Sequence, residues 1–186
     1  MALISPTIRP CGPEHLETVL SIEQEAVSCL ERPDLLRKNT PEMWRRCLES
    51  PHLCLGAWVG EELAGFAVLY VPQPGDGEDL SVLLTKVDAS AYTSANFKIC
   101  IVRPQWRGRG LQVLLGKHLG REARARGIDL LCATASPYNK PSVHSLLALG
   151  YQADHLLTKY GYERMLFYCL NPNRSLGFNV TSKNCL

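Results

Sequence analysis

The stretch CIVRPQWRGRGLQVLLGKHLG, residues 100–120, constrains the chain more than any other. It runs from an apolar, strand-like segment through Pro104 into a turn that holds Gly108 and Gly110 among Arg103, Arg107 and Arg109. An amphipathic helix follows, with Leu111, Leu114, Leu115 and Leu119 as its apolar face. Such a turn is a row of backbone N–H groups at a helix N-terminus, which attracts anions. The glycines lack a Cβ, so an anion can approach the main chain there and positive φ carries little penalty. Each charge-assisted amide bond contributes about 1.5–3 kcal/mol and the helix dipole about 0.3–1 kcal/mol, enough together to hold a diphosphate. Pro104 gives up an N–H just before this row and marks where sheet pairing ends. Read alone, a G-x-G with arginines is equally a solvated turn. The sequence excludes two other phosphate loops: G-x-x-x-x-G-K-[ST] is absent, and Leu111, Gln112 and Val113 break a G-x-G-x-x-G.

With 186 residues, the chain predicts one domain over 1–170 and a polar tail over 171–186. PTIRPC reads as a first strand, and a helix with Leu16, Val19, Leu20, Ala26, Val27 and Leu30 on one face follows Pro13. Thr40-Pro41-Glu42 opens a second helix, with Thr40 as N-cap. LCLGAWV and LAGFAVLYV form an antiparallel hairpin, and 72–79 is an exposed loop. Residues 80–94 carry no clear signal. ANFKICIV is a strand, 111–126 a helix, IDLLCAT a strand, 139–149 a helix ended by Gly150, and YQADHLL and RMLFYCL two closing strands. The fold class is α/β (α+β): a mixed sheet with helices on both faces.

A formal charge of +2 argues against a nucleic-acid partner, and the N-terminus has neither a secretory leader pattern nor any apolar run of about 18 residues. A cytoplasmic protein without a membrane partner is the expectation. The eight cysteines form no C-x-x-C pair and no Cys/His ligand spacing, so no metal is expected. Cys54, Cys100, Cys132 and Cys169 sit in apolar runs as small buried hydrophobes. In the tail, Leu176 and Phe178 could pack as an arm on a second copy in a homodimer, and Asn179-Val180-Thr181 matches a glycosylation acceptor by chance.

Gln105-Trp106-Arg107-Gly108-Arg109-Gly110, with Val102 and Pro104 before it, resembles the Q/R-x-x-G-x-G/A acetyl-CoA motif of the GNAT N-acetyltransferase superfamily. Asn139, Ser142 and Gly150-Tyr151 match its second signature, and GLQ, SPYNKPS and KYGYERMLF look like a bacterial subgroup with no identified acceptor. The resemblance implies a mostly antiparallel central sheet of six to seven strands, splayed as a V between its two central strands. It implies acetyl-CoA as co-substrate, a small-molecule amine acceptor, and chemistry that needs no metal. The amides from Gln105 to Gln112, with Arg107, Arg109 and Leu111 among them, would bind the pyrophosphate, and Asn139 and Ser142 would contact the cofactor. A backbone N–H near Val102 would polarise the acetyl carbonyl.

The tyrosine that often protonates the leaving thiolate in this superfamily is here Leu146. Ser145 and Tyr138 are the substitute catalytic candidates, with His144 and the Tyr160–Arg164 pair behind them. For a general base the strand offers only Asn96 and Lys98, while Glu23, Glu25, Asp76, Glu78 and Asp79 are either acceptor-side carboxylates or solvated surface. Lys117, Arg121 and Arg124 read as a solvated face. Leu146 also leaves room for a non-catalytic acyl-CoA-binding module.

Overall fold

The computed structural model describes residues 5–171. Its strands are β1 (Thr7–Cys11), β2 (Leu53–Val59), β3 (Glu62–Tyr70), β4 (Ser94–Val102), β5 (Leu130–Ala135), β6 (Gln152–Lys159) and β7 (Tyr162–Leu170). They form one sheet in the order β1-β2-β3-β4-β5-β7-β6. Only β4 and β5 run parallel; the other neighbours are antiparallel. The helices are α1 (Leu16–Ser28), α2 (Pro41–Cys47), α3 (Leu111–Ala125) and α4 (Lys140–Ala148). The tail from Pro172, with Leu176, Phe178 and the Asn179 acceptor, lies outside the described residues.

Each expected element is present, and its ends follow local chemistry. The Thr40 hydroxyl accepts from the Met43 amide at 3.2 Å, with Pro41 as the first helical residue. Gly150, at φ 88°, closes α4 in the left-handed region. Helix α1 stops two residues before Leu30. No described helix is long and apolar enough to cross a membrane.

Two cores sandwich the sheet. On one face Leu111, Leu115, Leu119 and Ala123 of α3 and Leu146 of α4 pack on Ala67 and Leu69 of β3. On the other, Val19, Ile22 and Ala26 of α1 and Trp44 and Cys47 of α2 pack on Phe66, Val68 and Tyr70. Alternation along β3 thus divides its side chains between the two cores. Each fully buried Leu or Ile contributes about 1.5–3 kcal/mol.

Glu23 proves to be part of this second core rather than an acceptor-side or solvated carboxylate. It is 2% exposed and accepts from the Asn39 amide at 3.0 Å and the Trp44 indole at 2.9 Å. A buried carboxylate so placed ties the α1–α2 connection to both helices. The cysteines behave unevenly: Cys54 and Cys132 are buried, Cys100 and Cys169 only partly so. Residues 80–94 form two short 3-10 turns, Ser81–Leu83 and Ala89–Ala91. Their anchor is distant in sequence: Asp154 on β6 accepts from the Thr85 amide and hydroxyl and the Lys86 amide at 2.8–3.0 Å. Leu80 packs with Leu130, Cys132 and Leu166.

Gly65 faces Val102 across the β3–β4 ladder. A Cβ there would lie 2.8 Å from the Ile101 carbonyl oxygen and 3.0 Å from the Val102 Cα, both rigid main-chain atoms. Gly65→Ala is therefore expected to push the end of β4 aside and to destabilise by about 1–3 kcal/mol, read as a lower urea midpoint at unchanged slope.

Candidate active site

β4 and β5 share pairing only from Ser94–Leu130 to Asn96–Cys132. Beyond that point they part. Val68 pairs with Ile99 and Leu69 with Phe97, so Lys98 is the extra residue of a bulge at the point of divergence. The slip also reverses the faces of β4. Ala95 and Phe97 pack in the α3–α4 core, whereas Ile99 and Ile101 pack in the α1–α2 core. The last bond to β3 runs from the Arg103 amide to the Ala64 carbonyl at 2.9 Å. Ladder alternation then turns the amides of Cys100 and Val102 toward the gap. The gap opens into a cleft of about 990 Å³.

At one end of the cleft lies the N-terminus of α3. Gly108 and Gly110 both have φ 74°, and a Cβ at either would meet nothing within 4 Å. The requirement for glycine there is conformational, while the surrounding space stays open for a ligand. Val102, Arg107, Gly108, Gly110, Leu111 and Gln112 line the cleft, whereas Gln105 and Arg109 stand outside it. The Arg107 Nε donates to the Val102 carbonyl at 3.2 Å. Arg109 stacks on Trp106, its Cζ 4.7 Å from the ring centroid. Gln105 and Trp106 both donate to Glu62 at 3.1 Å, which fixes the turn to the β2–β3 hairpin. Arg103 points away from the turn: its guanidinium donates to the Leu63 carbonyl and to Glu25, so both its charge and that of Glu25 are used in structure.

α4 forms a second wall. The Asn139 Oδ1 accepts from the Ser142 amide at 3.2 Å as N-cap, and its Nδ2 donates to the Leu35 carbonyl at 3.2 Å. The Ser142 hydroxyl accepts from Gln112 at 3.3 Å, joining the two helix N-termini. The Ser145 hydroxyl donates to the Pro141 carbonyl at 2.9 Å. Leu146 is 2% exposed, and no hydroxyl occupies its place. Tyr138 is 54% exposed with the Arg32 Cζ 4.1 Å from its ring centroid, and His144 lies exposed at the rim.

The sequence model of the Acetyltransferase (GNAT) family matches residues 19–151. The chain belongs to the GNAT acetyltransferase family. Solved structures agree in fold at low identity. yncA of Salmonella typhimurium, solved with its cofactor acetyl-CoA, is 17% identical over 92% of this chain and 96% of its own, with a TM-score of 0.67. A ribosomal-protein-alanine N-acetyltransferase from Brucella melitensis is 20% identical over 89% of this chain and 99% of its own, TM-score 0.66. Arabidopsis thaliana NAA60 in complex with acetyl-CoA is 16% identical over 89% of this chain and 98% of its own, TM-score 0.67. No curated protein sequence matches the chain. The described residues hold no cluster of three or more His, Cys, Asp or Glu suited to a metal ion.

At the other end of this GNAT cleft the lining turns basic, with Arg37, Lys98 and Arg164 beside Tyr160. Glu78 gathers three of these groups. Its carboxylate accepts two bonds from Arg37 at 2.8 Å, one from Lys98 and one from the Tyr160 hydroxyl at 3.2 Å. Its main chain is held by Asn96, which donates to the Glu78 carbonyl at 2.6 Å. Tyr160 has φ 60° and Gly161 φ 80°, a two-residue turn joining β6 to β7 that is uncommon for a tyrosine. The Arg37 Cζ lies 3.8 Å from its ring centroid, which helps hold that strained residue. No spacing signal marks Arg37 or Glu78, because residues 37, 78, 98 and 160 converge only in the fold.

Burial alone would raise the Glu78 carboxyl, but the hydrogen bonds and charges of Arg37 and Lys98 hold it at about 2, below its ordinary 4.5. It is thus a counter-ion and a poor base at neutral pH. Burial lowers the Lys98 pKa, and Glu78 opposes that shift. Glu78→Gln is expected to destabilise by about 1–3 kcal/mol at pH 7. Since the folded pKa is depressed, the carboxylate's contribution is complete above about 4.5 and lost as pH falls toward 2. Urea midpoints of the two proteins should therefore differ most at neutral pH and converge near pH 2.

Proposed function

We propose that the protein transfers an acetyl group from acetyl-CoA to a primary amine by direct attack. The observation that carries this reading is the unpaired edge of β4 opening beside the glycine turn of α3. The amides from Gln105 to Gln112 would receive the pyrophosphate, with the Arg107 and Arg109 side chains adding positive charge and the Leu111 amide lying within the row. Asn139 and Ser142 would border the pantetheine arm, and the Val102 amide would donate to the acetyl oxygen as charge gathers on it. The amine lone pair attacks the carbonyl carbon, the C–N bond forms, the C–S bond breaks, and the sulfur leaves as thiolate while nitrogen loses a proton to solvent water. Arg37, Lys98 and Arg164 at the acceptor end favour the neutral amine that attack requires. Ser145 and Tyr138 are the proposed proton donors to the thiolate; Ser145 would rotate away from Pro141 to act.

Cys100 supports direct attack over a covalent relay. Desolvation in the cleft wall raises its thiol pKa above the ordinary value, which works against a thiolate nucleophile. A second reading, an acyl-CoA holder without chemistry, is favoured by one observation: Leu146 fills the position where a proton donor would stand.

Mixed with acetyl-CoA and a panel of primary amines, the protein is expected to release free thiol faster than the uncatalysed rate. Cofactor affinity without turnover on any amine would leave only the holder. Gly108→Glu is expected to weaken CoA by more than about tenfold in calorimetry, because it places a like charge beside the diphosphate and forces a side chain into the left-handed region. Unaltered affinity would displace the site from the turn. Mass spectrometry after incubation with acetyl-CoA should find no acetyl group on Cys100, whereas a stable adduct there would establish a covalent route.

A further inference from the structure

We propose that the amine acceptor carries a carboxylate, and that Arg164 binds it. The inference rests on the cleft being the site of acetyl transfer. Arg164 is 4% exposed, yet it lines the cleft. Its Nε and Nη2 are buried with no hydrogen-bond partner, the one guanidinium in that condition among the described residues. These two atoms form one edge of the planar fork, the edge that meets the two oxygens of a carboxylate side by side. A buried cation with two unused donors costs free energy that a bound anion recovers.

The surroundings do not supply that anion. Glu78 is occupied by Arg37, Lys98 and Tyr160. Asp34 accepts two bonds from Arg32 and one from Ser136. Burial lowers the Arg164 pKa, with Asp34 opposing and Arg37 reinforcing that shift.

Position fits a substrate rather than the cofactor. Arg164 lies on the same face of β7 as Leu166, opposite Met165 and Phe167, whose side chains pack in the α3–α4 core. It therefore faces away from the helix whose N-terminus holds the glycine turn. A second cavity of about 560 Å³ shares Leu30, Leu36, Arg37 and Tyr160 with the cleft and gives this end an apolar approach. The acceptor class is an amine with a carboxylate and an apolar body, as in an apolar amino acid.

The test compares amines that differ only in the anion: phenylalanine against phenethylamine, leucine against isopentylamine, and β-alanine against ethylamine and phosphoethanolamine. Thiol release with acetyl-CoA is expected to give kcat/KM about thirtyfold or more higher for the carboxylated member of at least one pair. Arg164→Met should collapse that ratio toward one, and Arg164→Lys should recover part of it, each with unchanged calorimetric affinity for CoA as the control for folding. Turnover with no preference, a preference that survives in Arg164→Met, or a preference for phosphoethanolamine alone would overturn the carboxylate site. If no amine turns over, the transfer reading fails by itself. The anion site is then read from a nitrogen-15 NMR titration with N-acetylphenylalanine, in which the Arg164 Nε–H resonance shifts on binding; a resonance that stays put overturns the site.

Discussion

Beyond Asn96 and Cys132 the two central strands stop sharing hydrogen bonds, and the rest of the molecule is arranged around that parting. A strand edge inside a sheet leaves main-chain donors and acceptors that must find other partners. Here the parting has identifiable causes. The bulge at Lys98 bends β4 and exchanges the faces of its side chains, while Gly65 lets β3 follow β4 closely up to Val102. The α3–α4 core and the α1–α2 core then close above and below the gap without filling it. The cleft is thus a consequence of sheet geometry, and a ligand with its own chain of amides and carbonyls suits its unpaired edge.

The two ends of that cleft are built on different physics. The α3 end uses main-chain dipoles in a conformation only glycine adopts readily, with Trp106 and Gln105 tying the turn to Glu62. The opposite end, where the proposed reading puts the acceptor, uses buried side-chain charge. Glu78 keeps Arg37, Lys98 and Tyr160 in fixed positions, and its own ionisation persists because two cations oppose the effect of burial. A network of this kind supplies no base at neutral pH; on the proposed reading it would set a positive field where the amine arrives.

Legibility in the sequence followed the range of the interactions. The glycine turn, the Thr40 cap, the β2–β3 hairpin and the leucine face of α3 are written in residues a few positions apart, and all could be read directly. The acceptor end could not. The Asp154 anchor of Thr85 and Lys86, the Glu78 cluster and the unpaired Arg164 depend on contacts between residues 20 to 82 positions apart, which no local pattern encodes. Glu23 shows the same limit from the other side: its spacing on α1 places it among solvated carboxylates, and only the arrival of Asn39 and Trp44 makes it a core residue. The bulge at Lys98 was equally silent, because ANFKICIV alternates smoothly and its change of face arises from pairing with β3.

The same distinction bears on the missing tyrosine. Leu146 belongs to the α3–α4 core with Leu111 and Leu115 and also lines the cleft, so the cleft wall is apolar at that point. A thiolate leaving this cleft has another source of stabilisation. At an effective dielectric of about 20, a unit charge some 8 Å away is worth about 2 kcal/mol, and at the α3 end the cleft is lined by Arg107 and by the main-chain dipoles of the helix N-terminus. Prepositioned positive charge can therefore take over part of what a proton donor would do, and it requires no reorientation when the C–S bond breaks. On the proposed reading a leucine at position 146 would then be compatible with transfer, because the cleft wall would share the stabilisation of the leaving group with the donors proposed at Ser145 and Tyr138.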